Sequence, residues 1–403
     1  MENFDTNKLI STLLKATKKP EKPELSIVLP CRDEELSIQP CLKQILETLE
    51  KNNINAEVII SDSSSDSTLN KIKQFIQQNP NRLKIKFVKH NKIGYGNAYL
   101  EGFKQVSTKY IFMADCDATY DFSEIPNFLN ALKNGNDFAI GNRFAYPLKK
   151  DVMPFTHKYL GNPILSGLLR LFFGKGVKDS HCGMRAITTS ALKQLNLKTS
   201  GMEFASEMVI KALKNNLKIK QFPIHYHKRL GKSKLNAFAD GWRHLRFMLL
   251  YSPLFLFFIP GLILFILGIS TLVALAISNP SILGLTFYIH PMFLSSLLTI
   301  TGYQLIFFSL FAKTYAITHL GESNKKLEKV YKNVTIEKAG IVGIISILMG
   351  IGIFTTILYN WINSSFGELN EIKSSILALT LITLGIQTIF SSFMLSILGI
   401  KEK

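Results

Sequence analysis

Three polar clusters in the first part of the chain hold the side chains best suited to chemistry. They read Pro30-Cys31-Arg32-Asp33-Glu34-Glu35, Ser61-Asp62-Ser63-Ser64-Ser65-Asp66 and Asp115-Cys116-Asp117. On an extended segment, residues i and i+2 project to the same side. Asp115 and Asp117 can therefore share one hard divalent cation with the oxygens of a diphosphate. A solvated acidic turn is the plainer reading of a lone Asp-x-Asp. Its setting favours the metal, because each cluster directly follows an apolar run.

Those apolar runs are the elements that must position the clusters. Strand patterns at 25–29, 57–60, 83–88 and 110–114 alternate with helical patterns at 36–52, 69–78 and 96–106. The alternation predicts an α/β domain, a parallel sheet with helices on both faces. Such sheets bind ligands beyond the carboxyl ends of their strands, where the clusters fall. Gly94 and Gly96 suggest a tight turn on the phosphate side. Glu203 and Glu207 lie one turn apart on a helix expected over 202–214, where a structural hydrogen bond is a reasonable role for Glu207. His225 and His227 alternate as on a strand, which speaks for ordinary strand polarity rather than zinc. The four cysteines, Cys31, Cys41, Cys116 and Cys182, lack zinc-like spacing and read as reduced thiols.

Charge and hydropathy are segregated along the 403 residues. The chain carries +18 overall with 47% hydrophobic residues. From Pro253 onward there are nine Lys, no Arg and six Glu, so residues 1–252 hold a net +15. Between Arg246 and Lys313 lie 66 residues without a charge. A helix of about 20 residues crosses the hydrocarbon core, so this stretch holds two crossings, broken at Ser278-Asn279-Pro280. Two further uncharged runs follow. Four spans are expected, at about 253–277, 290–316, 339–360 and 374–400. The six lysines of loop 313–338, set against none in 278–288 and one in 360–373, place the N-terminal domain, that loop and the C-terminus in the cytoplasm. The first twenty residues hold no signal-peptide core, which agrees. The domains expected are an extension over 1–22, a catalytic domain over 23–234, an interfacial amphipathic helix over 235–252 and a membrane domain over 253–403.

The motifs, taken in order, resemble those of the inverting glycosyltransferases of family two, and within them the polyprenyl-phosphate glycosyltransferases. The matching segments are LSIVLPCRDEE from Leu25, SDSSSDST from Ser61, GYGNAYLEG from Gly94, ADCD from Ala114, GNRF from Gly141, DSHCGMRA from Asp179 and RLGKSKL from Arg229. With the trailing spans they cover nearly the whole chain. The resemblance implies a GT-A fold, Rossmann-like with a mostly parallel sheet, followed by four transmembrane helices. It implies transfer of a hexose from a nucleotide sugar, of the GDP-mannose or UDP-glucose type, to a polyprenyl phosphate such as dolichyl or undecaprenyl phosphate. Pro30, Arg32, Glu34, Asp62, Ser64, Asp115, Cys116 and Asp117 would then bind the nucleotide sugar. Asp115, Asp117 and Thr119 would hold Mg2+ or Mn2+, and Arg143, Arg229, Ser233 and Lys234 the lipid phosphate. Asp115, Asp117 and Arg229 would carry catalysis. An ionised lipid phosphate attacks without a strong general base, so cations that position it matter most. The chain departs from the family pattern at Ser61, Thr119 and His157-Lys158, where an aspartate, a glutamine and an arginine are usual.

Three other functions compete. A processive polysaccharide synthase of the same fold usually carries QxxRW, and here only Trp242-Arg243 stands, in reversed order. An idle lipid-binding scaffold conflicts with retention of both Asp-x-Asp carboxylates. Nucleic-acid binding through the +15 domain has no recognition module behind it, and an anionic membrane surface accounts for the charge.

Overall fold

Leu25–Cys31 (β1), Ala56–Asp62 (β2), Lys84–Lys89 (β3) and Tyr110–Met113 (β4) are parallel neighbours in the order β3-β2-β1-β4. Helices Ile38–Lys51 (α1), Thr68–Gln78 (α2) and Tyr95–Phe103 (α3) connect them, as the alternating pattern predicts. The computed structural model describes residues 22–149, 152–174, 176–231, 237–282, 284–319 and 336–400. The chain divides into two compact units between Met248 and Leu249.

Beyond β4 the sheet becomes mixed. After Ile125–Lys133 (α4) comes Phe138–Asn142 (β5), and a long connection containing Asn162–Phe173 (α5) leads to Arg185–Thr188 (β6). β6 runs antiparallel between β4 and β5, and Ile219–Pro223 (β7) closes the edge parallel to β5. The antiparallel insertion is absent from the sequence reading because β6, RAIT, begins with Arg and ends with Thr and so leaves no apolar run of the kind that marks β4, YIFM. Leu25, Ile27, Leu29, Val58, Ile60, Phe112, Phe138 and Ile140 are fully buried or nearly so. Each such side chain contributes roughly 1.5–3 kcal/mol of transfer free energy, which fixes the strand ends that carry the polar clusters.

Thr189–Leu195 (α6) starts where the Thr188 hydroxyl accepts the Ala191 N–H at 3.2 Å, and ends at left-handed Asn196. Phe204–Lys214 (α7) buries Phe204, Met208, Val209 and Ile210, with Phe204 stacked on Tyr99. Ala237–Leu250 (α8) is a helix within the segment 235–252 where an interfacial amphipathic helix is expected.

Among its described residues the second unit contains four helices long and apolar enough to cross a membrane: Leu254–Ile277, His290–Thr318, Glu337–Asn363 and Ile372–Gly399. Each coincides with an expected span. The expected break at 278–280 is the end of the first, followed by short paired strands Ser281–Ile282 and Leu285–Thr286. Small and hydroxyl residues let these helices approach. A Cβ on Gly268 would fall 2.4 Å from the Thr299 nitrogen, and Ser296–Thr380 and Tyr303–Thr388 hydroxyl pairs meet at 2.7 Å.

Candidate active site

The three polar clusters are knitted together at the carboxyl ends of β1, β2 and β4. The Asp33 N–H donates to Ser64 Oγ at 2.7 Å, and the Glu34 N–H to Thr68 Oγ1 at 2.8 Å. These bonds tie the loop after β1 to the loop after β2. The Cys116 thiol donates to the Pro30 carbonyl at 2.9 Å and lies 2.8 Å from Cys31 Sγ, tying β1 to the acidic pair. Asp62 is fully buried: Oδ1 accepts the Ser64 N–H at 3.1 Å, and Oδ2 accepts Lys89 Nζ at 2.8 Å. Lys89 also donates to the Ser64 carbonyl at 2.6 Å, so Asp62 orders this end of the cleft through Lys89. Arg32 is half exposed, 4.0 Å from Asp33.

The two carboxylates of the acidic pair sit in different surroundings. Asp115 rests against Gly183, where a Cβ would fall 2.6 Å from its Oδ2, and receives the Tyr99 hydroxyl at 3.5 Å. Burial first, and then the neighbouring Asp117 charge, push Asp115 up to about 7. Such a carboxyl gains from an added cation. Asp117 Oδ1 accepts both the N–H and the hydroxyl of Thr119, and Oδ2 accepts Arg229 Nη1 at 2.7 Å. Ala118 between them has φ of 63°, a left-handed conformation unusual for a residue with a Cβ and the kind of strain found at functional sites. Thr119, expected as a metal ligand, hydrogen-bonds Asp117 and is itself buried.

Arg229 reaches this centre because its segment runs along the loop after β4. The His227 N–H donates to the Thr119 carbonyl at 2.9 Å, and the Leu230 N–H to the Asp117 carbonyl at 3.1 Å. The Arg229 guanidinium thereby bridges Asp117 and Glu34, while its Nε is buried without a partner. Glu34 Oε2 accepts the Ser37 hydroxyl at 3.0 Å. A cavity of about 310 Å³ beside Ala118 is lined by Pro40, Cys41, Gln44, Tyr120, Asp121 and His227.

Arg143, expected to face the lipid phosphate, is engaged elsewhere. Its Nε and Nη2 each donate at 2.8 Å to the two oxygens of Asp179, which is fully buried. Ser233 and Lys234 lie outside the described residues, as does Lys232. His225 and His227 are not in a strand: His225 stacks on Tyr146 with centroids 4.4 Å apart, and His227 lines the cavity. Glu207 is structural. It accepts the Lys198 and Thr199 N–H groups and the Thr199 hydroxyl, and pairs with Lys211 at 2.7 Å. Burial works against its charge, but the Lys211 and Thr199 donors outweigh it and hold Glu207 below the usual carboxylate value. Gly94 and Gly96 serve packing against the same loop: Cβ atoms there would fall 2.3 and 2.2 Å from the carbonyls of Ser200 and Thr199.

Asp179, Arg185, Tyr99 and Lys89 belong to the surroundings of the site and were given no role by sequence reasoning. Arg185 is buried and donates to the carbonyls of Cys182, Ala205 and Ser180, which holds the loop behind Asp115. Asp179 and Arg185 lie in the DSHCGMRA segment, the one signal that pointed to them. Among the described residues no three or more His, Cys, Asp or Glu side chains gather as a metal site. Asp115 and Asp117 can still hold a divalent cation whose other ligands come from a diphosphate.

Residues 26–195 match the profile "Glycosyl transferase family 2", and residues 310–399 match "Glycosyltransferase family 2 C-terminal transmembrane region". The chain is 36% identical to the low-salt glycan biosynthesis hexosyltransferase Agl6 of Haloferax volcanii, over 94% of this chain and 89% of that protein. It is 26% identical to dolichol-phosphate mannosyltransferase of Pyrococcus furiosus, over 53% of this chain and 60% of that one. A dolichyl-phosphate hexose transferase of Haloferax volcanii matches at 26% over 54% of this chain and 89% of its own length. Glucosyl-3-phosphoglycerate synthase of Mycobacterium tuberculosis, solved with Mn2+, UDP-glucose and glycerol 3-phosphate, superposes at a TM-score of 0.45 and 16% identity, over 62% of this chain and 86% of that one.

Proposed function

The chain belongs to glycosyltransferase family 2, and from that premise we propose that it transfers a hexose from a nucleotide sugar to a polyprenyl phosphate, with the lipid phosphate as nucleophile. The relatives that act on dolichyl phosphate support this acceptor class. The observation that carries the reading is Arg229 bridging Asp117 and Glu34. A guanidinium between two carboxylates marks a point where the protein demands positive charge. Asp115 and Asp117 would hold Mg2+ or Mn2+ there, and a bound cation supplies charge neutralisation at the departing diphosphate. Thr119 keeps Asp117 in place for that role, and its hydroxyl would be a further oxygen donor to the cation.

Pro30, Arg32, Glu34, Ser64 and Cys116 line the nucleotide side, and Asp62 orders it through Lys89. With the cation bound, Asp117 would be shared between it and Arg229, whose Nη1 would be free to donate to a phosphate oxygen while Nη2 stays on Glu34. Arg229 then holds the lipid phosphate facing the anomeric carbon, joined by Ser233 and Lys234. One phosphate oxygen forms the new bond to that carbon as the bond to the diphosphate breaks on the opposite face, which inverts the configuration. Arg143 acts at a distance by fixing Asp179 and the loop behind Asp115.

The catalytic unit and both ends of the chain face the cytoplasm in this reading, supported by the lysines of loop 313–338. Cysteines introduced at Ser281 and Ser365 should react with an impermeant thiol reagent outside intact cells, and one at Ser323 should not. The function is tested by incubating the purified protein with dolichyl phosphate and a panel of UDP- and GDP-sugars, followed by mass spectrometry of the lipid fraction. One hexose on one lipid phosphate is expected. A polymer, or no lipid-linked sugar from any donor, would overturn the proposal.

A further inference from the structure

Cys31 and Cys116 occupy adjoining positions at the floor of the site, and neither thiol forms or breaks a covalent bond in the proposed transfer. β1 and β4 are parallel partners with Val28 opposite Met113, and the same register carried three residues further sets Cys31 opposite Cys116. Neighbouring strands lie about 4.8 Å apart, within the span of about 4.4–6.8 Å between Cα atoms that a disulfide bridges. The sulfurs are already 2.8 Å apart. Each thiol is 1% exposed, so only a small reagent reaches them.

We propose that Cys31 and Cys116 are an oxidisable dithiol whose disulfide shuts down the donor site. The oxidant is a hydroperoxide such as hydrogen peroxide. One thiol gives up its proton, the thiolate attacks the peroxide, the O–O bond breaks, and a sulfenic acid and one water form, the water taking up that proton. The second thiol attacks the sulfenic sulfur and expels a second water, leaving the S–S bond. The two thiols lose two electrons and two protons in total, and the peroxide is reduced to water.

Oxidation removes a donor from the site. The Cys116 thiol donates to the Pro30 carbonyl at 2.9 Å, and a disulfide sulfur has no hydrogen to donate. Cys116 sits between Asp115 and Asp117, and Cys31 between Pro30 and Arg32, so the lost bond and the new covalent tie fall on the segments holding both carboxylates and the nucleotide side. Productive sites hold their groups to within about 0.5 Å, and loops re-tied with displacements near 1 Å cost up to about a hundred-fold in rate. The inference rests on the reading of this cleft as the nucleotide-sugar site.

Three measurements on the purified full-length protein test it: peptide mapping of disulfides after hydrogen peroxide, sugar transfer before and after, and transfer after dithiothreitol. The expected result is a Cys31–Cys116 link, a ten- to hundred-fold fall in transfer, and recovery on reduction. Cys31→Ala and Cys31→Ser proteins, each compared with its own untreated activity, should lose little on oxidation, whereas Cys41→Ser should respond as the unmodified protein does. Absence of the link, a link without loss of transfer, or equal sensitivity of the Cys31 variants would overturn the inference. Affinity for UDP and GDP with Mg2+, measured before and after oxidation, needs no turnover. It reads the effect even where the reduced protein transfers no sugar, an outcome that counts against the function proposed above and not against the dithiol.

Discussion

Two arginine–carboxylate centres stand in the same domain and differ in what they leave open. At Arg143–Asp179 the guanidinium fork meets a single carboxylate face-on, with side-chain exposures of 8% and 0%. At Arg229 the fork is split between Asp117 and Glu34, and its side chain is 25% exposed. The first is sealed and its two charges cancel within one pair. The second joins residues from three different loops and has an unpartnered Nε. A sealed pair mainly specifies structure, since separating its charges leaves one of them buried and uncompensated. A split, half-open centre can exchange its cation for another. The sequence assigns both arginines to the same phosphate; the structure gives one a sealed partner and the other a split, half-open pair, which under the proposed function makes the first a brace and the second a clamp.

The largest expected effect tests the open centre. Asp117→Asn or Asp115→Asn should lower transfer by roughly 10²–10³-fold, the scale of losing one charge-stabilising group, with the fold intact by circular dichroism. Excess chelator should abolish the reaction and Mg2+ or Mn2+ restore it; full activity in chelator would sink the metal assignment.

The sealed centre should respond in the opposite sense, in stability first. Asp179→Ala leaves Arg143 buried without its carboxylate and should cost about 3–5 kcal/mol, read as a lowered denaturation midpoint in detergent. Were Asp179→Ala to unfold at the normal midpoint and lose only acceptor use, the distinction between brace and clamp would fail.

Arg229→Ala sharpens the comparison from the clamp side. Loss of one charge-assisted hydrogen bond is worth about 1.5–3 kcal/mol, or roughly ten- to a hundred-fold. That factor is expected in kcat/KM for the polyprenyl phosphate, with donor-nucleotide affinity nearly unchanged. Because Arg229 also occupies Asp117, the same substitution should tighten Mn2+ binding in the absence of substrate. Weaker Mn2+ binding would show that Arg229 supports the cation instead of competing with it.

The smallest effect concerns Glu207, a second sealed carboxylate away from the clamp. Its folded pKa is depressed, so the stability it adds is present above its ordinary value of 4.5 and is lost as pH falls through the folded value. Glu207→Gln should cost about 1–3 kcal/mol at pH 7, and the gap to the unmodified protein should close in acid. A gap independent of pH would remove the charge from the explanation.

Much of the molecule was legible along the chain. Four spans, the alternating first half of the sheet and the three strand-end clusters depend on neighbours a few residues apart, and period and hydropathy record such neighbours directly. The seven motifs, in order, pointed to the family that the profile and the relatives then supported. Other features had no local trace. β6 entered antiparallel because a four-residue strand took its direction from the long return before it and from β4 and β5 on either side. Glycines that read as a phosphate turn proved to be points where two backbones meet. Arg143 and Arg229 are the plainest case. The two look alike as sequence, and only the fold, by bringing Asp179 to one from 36 residues away and Asp117 with Glu34 to the other across more than a hundred, decided which is sealed and which is half open. The physical reason is that a side chain's chemistry is local, whereas burial and choice of partner are properties of the packed chain.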